Sequence, residues 1–415
     1  MAIDTLKAGL GERRFDLDWV RILAFMLLIV YHVGMYYVDW DWHVKSPSAS
    51  SAIEPLMMLT APWRLSLLFL VSGVATAYLL ARAPKNFLGA RAVRLLIPLA
   101  FGMLVIVPPQ SYLEVVEKLN YSGGFAAFYR LYLTAFHGFC RGSDCLIMPT
   151  WNHLWFVAYL FVYTAVLYGA VRLLPKAMPS LRQGAERQFA GIGVLLVPIA
   201  YFALVRMALA GRYPANHALL GDWYNHALYF GAFLLGFVLA ATRAPWAALE
   251  RFRWQTLGFA VLGWAAFCAY MGIYSGDIDP PRTLINVMRA EYGAEQWLAI
   301  AAVLGFAHRH LHRDNAARRY LTTAIFPVYI LHQTVIVVVA HSLKSAHLYP
   351  PIEALLLVSV TAASCFLGYE LIRRVRPLHP LFGLAWQSAP QRRSDPACSP
   401  VAVRALALGV PQDLN

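Results

Sequence analysis

Residues 17–38 read LDWVRILAFMLLIVYHVGMYYV. Apart from Asp18, Arg21 and His32 the run is apolar, aromatic or glycine, and it supplies the roughly 20 residues a helix needs to cross a bilayer's hydrocarbon. Blocks of the same kind recur at 60–81, 92–109, 151–172, 189–210, 222–241, 254–274, 284–307, 320–342 and 350–372. The expectation is an all-α polytopic membrane protein, a bundle of about ten transmembrane helices. Composition agrees: of 415 residues, 59% are hydrophobic and 14% charged, against roughly 25% charged in a soluble chain. That balance excludes collagen-like, disordered and disulfide-scaffold classes. The first 16 residues are polar and end in Arg13-Arg14, so the first apolar run is expected to be a span and not a leader.

An even number of spans puts both termini on one side. With the N-terminus inside, the inner segments collect Lys7, Arg13, Arg14 and Arg21, then Arg82, Lys85, Arg91 and Arg94, and most of the remaining Lys and Arg. Membrane proteins gather cations on the cytosolic side, so both termini are expected in the cytosol. The net charge of +13 is thereby explained without nucleic acid. In this reading 1–16 is a cytosolic segment, 17–380 the membrane domain, and 381–415 a disordered cytosolic tail, proline-punctuated near Pro396. The outer segment 110–150 is too long for a plain connector. It carries Cys140 and Cys145, for which a disulfide and two free thiols are both open.

An ionisable side chain inside a membrane is costly and by default marks function. In span one, Arg21 and His32 are separated by about 16.5 Å of helix rise, so Arg21 falls at the inner boundary and His32 near the midplane. Read alone, Arg21 is a snorkelling anchor and His32 a hydrogen-bonded interhelical histidine. Asp18 would pair with Arg21 across one helical turn. Arg91 and Arg94 share a face at the start of span three and, with Arg82 and Lys85, form a basic inner mouth. Guanidinium forks at a helix N-terminus suit phosphate oxygens; the plainer account is the topology charge itself. Toward the outer side stand His43 in Asp39-Trp40-Asp41-Trp42-His43, His153 in Trp151-Asn152-His153-Leu154-Trp155-Phe156, Glu295 beside Arg289 and Glu291, and His332 in Tyr329-Ile330-Leu331-His332. These fit either a membrane-interface belt or a sugar platform. His308, His310 and His312 lack a metal-binding spacing, and there is no Walker, GxSxG or dinucleotide motif. Ser72-Gly73 reads as a close-packing pair.

Together these pieces resemble the acyltransferase 3 superfamily of bacterial membrane O-acyltransferases. Leu17-Asp18-Trp19-Val20-Arg21 followed by Tyr31-His32 matches that family's Arg-x10-His motif. Phe69-Leu70-Val71-Ser72-Gly73, Arg91-x-x-Arg94 before Leu95-Leu96-Ile97-Pro98, His153-Leu154-Trp155-Phe156 and Tyr329-Ile330-Leu331-His332 follow in order, over about residues 14–380. Trp42-His43-Val44-Lys45-Ser46 and Tyr369-Glu370-Leu371 look like the branch of periplasmic-glucan succinyltransferases. The resemblance implies a multi-pass protein of the bacterial inner membrane that moves an acyl group, acetyl or succinyl, from cytosolic acyl-CoA to a hydroxyl of an extracytoplasmic carbohydrate. It assigns Arg21, Arg91 and Arg94 to the donor and His32 to catalysis; Asp18, Ser72, His43, His153, Glu295 and His332 are candidates for the acceptor or for supporting contacts. Acyl-CoA enters as co-substrate, with no resident cofactor or metal. A neutral imidazole, with an ordinary pKa near 6.5, suits a general base for the attacking hydroxyl. The rival class is a transporter or flippase of a solute or lipid-linked sugar, which often shows inverted repeats; no repeat is visible, and Pro198 and Pro327 are the clear mid-span breaks.

Overall fold

The computed structural model describes residue 10 and residues 13–82, 86–142, 144–276 and 278–385. Lys7, Lys85, most of 1–16 and the tail beyond 385 lie outside the described residues. Helix α1 (Phe15–Tyr37) takes up the opening stretch, with Asp16 and Asp18 in its first turn, where acidic groups complement the helix dipole. It ends where Val38 turns extended and its N–H closes on the Gly34 carbonyl. Next come α2 (Glu54–Met58), α3 (Arg64–Arg82) and α4 (Phe87–Phe101), the last prolonged by a π-helical turn over Gly102–Ile106. Beyond them lie α5 (Pro108–Leu119), α6 (Phe125–Leu133), α7 (Trp155–Leu173), α8 (Ala177–Gln188), α9 (Gly193–Leu209) and α10 (Trp223–Ala240). The chain finishes with α11 (Ala244–Ile273), α12 (Arg282–His310), α13 (Ala316–Leu343) and α14 (Pro350–Ile372).

The architecture is all-α and polytopic. Eight described helices are long and apolar enough to cross a membrane: α1, α3, α4, α7, α10, α11, α13 and α14. α8 and α9 pass that test together as a pair bent by 106°, which makes nine if the pair is one span. The expected span 284–307 lies in α12, a helix of 29 residues. Arg289, Glu291, Glu295 and Gln296 lower its hydropathy below that of a free-standing span, and it packs instead between α9 and α11.

The centre of the bundle is the crossing of α3 and α10. A Cβ on Gly73 would lie 1.9 Å from the Phe233 carbonyl oxygen, and one on Gly236 would lie 1.9 Å from that of Leu70. Small residues let the two backbones touch, the usual device of close helix packing in membranes. Helix α1 packs on α3, α13 packs on α1, and α14 packs on both α13 and α1.

The segment 110–150 is folded. Amphipathic α5 and α6 bury Val115, Phe128, Tyr132, Phe139 and Met148 in a small core of their own. A two-residue ribbon, β1 (Cys140–Arg141) against β2 (Asp144–Cys145), closes it. Of the two open states of the cysteines the structure takes the disulfide, Cys140 to Cys145. At the other end of the chain, the 3-10 turn Pro380–Phe382 docks on α4, with Phe382 buried against Phe101. Packing therefore continues a few residues past the expected domain end at 380.

Candidate active site

Two polar regions lie along α1, one around Arg21 and one around His32. Around Arg21 is a cavity of about 430 Å³ into which Arg13, Arg14, Arg21, Arg82, Arg91 and Arg94 all face. Among the described residues its one lining carboxylate is Asp18. The expected Asp18–Arg21 pair does not form. Asp18 is held by Arg13 at 2.9 Å and by Arg318 of α13, because Arg21 reaches across to the Thr322 carbonyl on α13, 3.2 Å away. Nε of Arg21 and Nε of Arg91 are buried with no hydrogen-bond partner among the described residues. Arg14 is already paired with buried Asp16 at 2.6 Å; the other five guanidinium groups around one shared carboxylate make an anion-seeking cavity, and planar forks favour phosphate oxygens. Helix α4 begins at Phe87, so Arg91 and Arg94 lie in its second turn. The expected help from the helix N-terminus, which fades beyond the first turn, is therefore weak; side-chain charge carries the site. Ser72 lines the same cavity.

The cavity ends against aromatic rings. Phe25 of α1 meets Tyr329 of α13 at 5.2 Å and Phe156 of α7 at 6.4 Å between ring centroids, and Phe69 of α3 closes on Phe156 at 4.5 Å. Beyond Tyr329 stand three histidines. His332 and His153 are buried, whereas His32 keeps part of its surface open.

Hydrogen bonding sets the tautomers of this cluster. Nδ1 of His332 lies 2.5 Å from the Tyr329 carbonyl, which can only accept, so Nδ1 of His332 carries the proton and its Nε2 holds the lone pair. His32 Nδ1 lies 2.9 Å from that Nε2 and must donate to it, for neutral rings. The remaining lone pair of the chain is then on Nε2 of His32. His153 is used up by structure: its Nε2 donates to the Ile330 carbonyl at 3.0 Å, and its own carbonyl receives the Tyr329 hydroxyl. It pins the turn of α13 that presents His332.

His43 joins the cluster indirectly. Its Nδ1 meets Glu114 at 2.5 Å, and its Nε2 accepts from Gln333 at 2.9 Å. Gln333 also donates to Gln110 at 3.1 Å. The folded outer segment is thus wired to the residue after His332. Burial pushes the Glu114 carboxyl up, but His43 and Lys118 beside it outweigh that and hold it at about 2. Glu295 is not brought to the histidines; it is buried on α12, beneath Gly263 of α11, on the wall of a separate apolar groove.

Sequence reading passed over Gln110, Gln333, Arg206 and Arg64, and took Arg318 only as one of the inner-side cations. Arg64 had a signal: it is a cation inside the expected span 60–81, the same anomaly that marked Arg21. Its Nε and Nη1 are buried without a partner among the described residues, and its guanidinium lies over the Tyr31 ring beside His32.

A helical membrane bundle with an arginine cavity and a histidine cluster reached by one helix suits a membrane acyltransferase, and likeness to known proteins points the same way. The chain belongs to the acyltransferase 3 family, whose acyltransferase-domain profile matches residues 14–370. It is similar to glucans biosynthesis protein C of Salmonella gallinarum, 25% identical over 342 residues that cover 78% of this chain and 82% of that protein. The protein of the same name from Salmonella typhimurium is 26% identical over 339 residues, again 78% of this chain and 82% of its own length. No solved structure matches the chain.

Proposed function

We propose that the protein is an acyl-CoA-dependent O-acyltransferase of the bacterial inner membrane with both termini in the cytosol. It moves an acetyl or succinyl group onto a hydroxyl of an extracytoplasmic carbohydrate, a periplasmic glucan or another envelope polysaccharide. One observation carries this reading: α1 joins an arginine-walled cavity to a histidine whose lone pair is set by a second histidine, with a partition of rings between them. The name of the relatives, which speaks of glucans, supports the carbohydrate acceptor.

Arg21, Arg91 and Arg94 bind the phosphates of coenzyme A. The pantetheine arm runs past Ser72 and between the rings of Phe25 and Phe156 once they rotate, and brings the thioester to His32. Nε2 of His32 takes the proton of the acceptor hydroxyl as the oxygen attacks the thioester carbonyl. The ester C–O bond forms, the C–S bond breaks, and the imidazolium returns the proton to the departing thiolate. His332 touches no substrate; it accepts from Nδ1 throughout and so keeps Nε2 facing its work. In the outer half, His43 and its aromatic neighbours receive the sugar.

The test is transfer of labelled acyl from acyl-CoA to a glucan, run beside a thermal-stability measurement. His32→Ala should lower turnover by about 10²–10⁴-fold while acyl-CoA still binds. His32→Gln should be nearly as inactive, since an amide keeps a hydrogen bond but has no useful basicity. A folded His32→Gln protein working at the parental rate would remove His32 from the chemistry. A parent without transfer, but moving solute across vesicles, would make it a transporter.

A further inference from the structure

A backbone carbonyl sets the tautomers of His332 and His32, and a second carbonyl reaches His43. Thr334 of α13 donates its hydroxyl at 2.7 Å to the carbonyl of Ile106, the last residue of the π-helical turn. A carbonyl can only accept, so the Thr334 oxygen is left as an acceptor. Gln110 of α5 lies 2.6 Å from it and must present its NH2. The same NH2 points toward Nδ1 of His153 at 3.5 Å, the nitrogen left bare by that ring's bond to Ile330. The Gln110 amide is thereby fixed. Its Oε1 faces the amide nitrogens of Asn152 and Gln333, each 3.1 Å away, and both must donate. The NH2 of Gln333 also lies 2.9 Å from Nε2 of His43. That nitrogen therefore holds the lone pair, and Nδ1 carries the proton toward Glu114.

Glu114 alone would not decide this. A carboxylate beside Nδ1 accepts from an imidazolium at least as readily as from a neutral ring. What opposes a proton on Nε2 is the amide, because that N–H would point at another donor. Gln110 and Gln333 are 0% and 4% exposed, so water cannot re-pair them, and a mismatched buried network is costly. His43 sits at the outer end of this chain and keeps 13% of its side-chain surface open.

We infer that Gln333, oriented by Gln110, is a positioning residue of the acceptor site: it keeps the lone pair of His43 on Nε2 and holds the place that a hydroxyl of an uncharged sugar takes. This rests on the acyl-transfer reading and deepens it by stating what the acceptor must bring. An amide N–H and a sugar O–H are both donors, so the hydroxyl replaces the amide like for like as the Gln333 side chain turns aside. A sugar offering a carboxylate there meets a lone pair with the Glu114 charge behind it, and is turned away. No bond made or broken in the proposed reaction changes.

The full chain in detergent micelles, its histidines isotopically labelled for nitrogen NMR, reports the tautomer directly, with His43 picked out by difference from His43→Gln. The parent should show Nδ1 protonated and Nε2 bare. Gln333→Glu puts an acceptor of the same shape in the donor's place and should protonate Nε2. A parent ring protonated at Nε2, or a variant ring unchanged, overturns the inference. In the acyl-transfer assay Gln333→Glu should raise KM for a neutral glucan about tenfold, the scale of one hydrogen bond, and leave KM for acyl-CoA in place. Both constants rising together, or kcat falling alone, overturns the inference and makes Gln333 a packing residue. Gln110→Leu frees the Gln333 amide to turn and should raise the glucan KM too; a parental value there overturns the part given to Gln110. Binding is read independently of turnover. A neutral gluco-oligosaccharide should shift the Nε2 resonance of the parent His43 without protonating it, and the same sugar oxidised to carboxylates at its primary hydroxyls should not. Equal shifts, or none, overturn the inference. The expected shift without acyl transfer keeps it and sinks the transferase reading; transfer with a still resonance does the reverse. If Gln333→Glu does not fold, this titration of the parent decides alone.

Discussion

At the scale of single residues, charge and hydrogen bonding divide the labour along α1. Arg91 and Arg94 face a cavity whose one described carboxylate is already bonded elsewhere, so on the proposed function truncating either would take a charged hydrogen bond away from the donor. Arg91→Ala with Arg94→Ala should weaken coenzyme A binding by roughly 1.5–3 kcal/mol for each such bond removed, and Lys at both positions should restore only part of it. Unchanged affinity, measured by calorimetry on the purified protein, would return both arginines to topology alone. Glu114 gives a pH signature. Its folded-state carboxyl stands at about 2 against an ordinary 4.5, so the ionised form stabilises the fold. That contribution is fully present above about pH 4.5 and is lost as pH falls toward 2; it is on the order of 3 kcal/mol. Glu114→Gln should flatten the melting midpoint across that window, and a parallel decline in parent and variant would count against the His43–Glu114 pair. The Arg-x10-His pair was legible because a charge in an apolar run stands out. The His32–His332 bond was not, since 300 positions separate the partners and no local pattern encodes which helices meet.

At the scale of elements, hydropathy located the helices well because length and apolarity are both imposed by the bilayer. It placed the start of α4 late: Phe87-Leu88-Gly89-Ala90 is helical but too short and mixed to read as part of a span. The outer segment's own core was also invisible, since α5 and α6 are short and their apolar residues meet only after folding. The α3–α10 crossing was half legible, as Ser72-Gly73 signalled close packing without naming Gly236 opposite. That crossing can be tested directly. Gly73→Ala puts a methyl into the Phe233 carbonyl, and overpacking of this kind costs typically 1–3 kcal/mol, so the melting midpoint should fall. Gly169→Ala, where nothing lies within 4 Å, should leave the midpoint in place and serves as the control. Equal behaviour of the two variants would mean that α3 and α10 separate freely.

At the scale of the whole molecule, the proposed reaction needs the arginine cavity on the cytosolic side and the folded outer segment on the other. Gly124 and Gly184 both have open space around them, one in the outer segment and one on α8. In a background without free thiols, Gly124→Cys should react with an impermeant thiol reagent added outside intact cells, and Gly184→Cys should react only after the membrane is opened. The reverse labelling would turn the bundle over and put the donor on the wrong side.

A bundle that works as proposed, admitting a hydrated nucleotide from one face and a hydrated sugar from the other, is, electrically, a pore with a stopper. Each elementary charge crossing a membrane held at 100 mV releases about 2.3 kcal/mol, so even a narrow wet path between the two mouths would drain the ion gradients of the cell. Phe25, Phe156, Phe69 and Tyr329 occupy the short stretch between cavity and histidines where low-dielectric matter interrupts such a path. In the proposed reaction these rings therefore serve as insulation as well as a gate: they would part for a thin, uncharged pantetheine arm and close around it tightly enough that neither protons nor potassium follow.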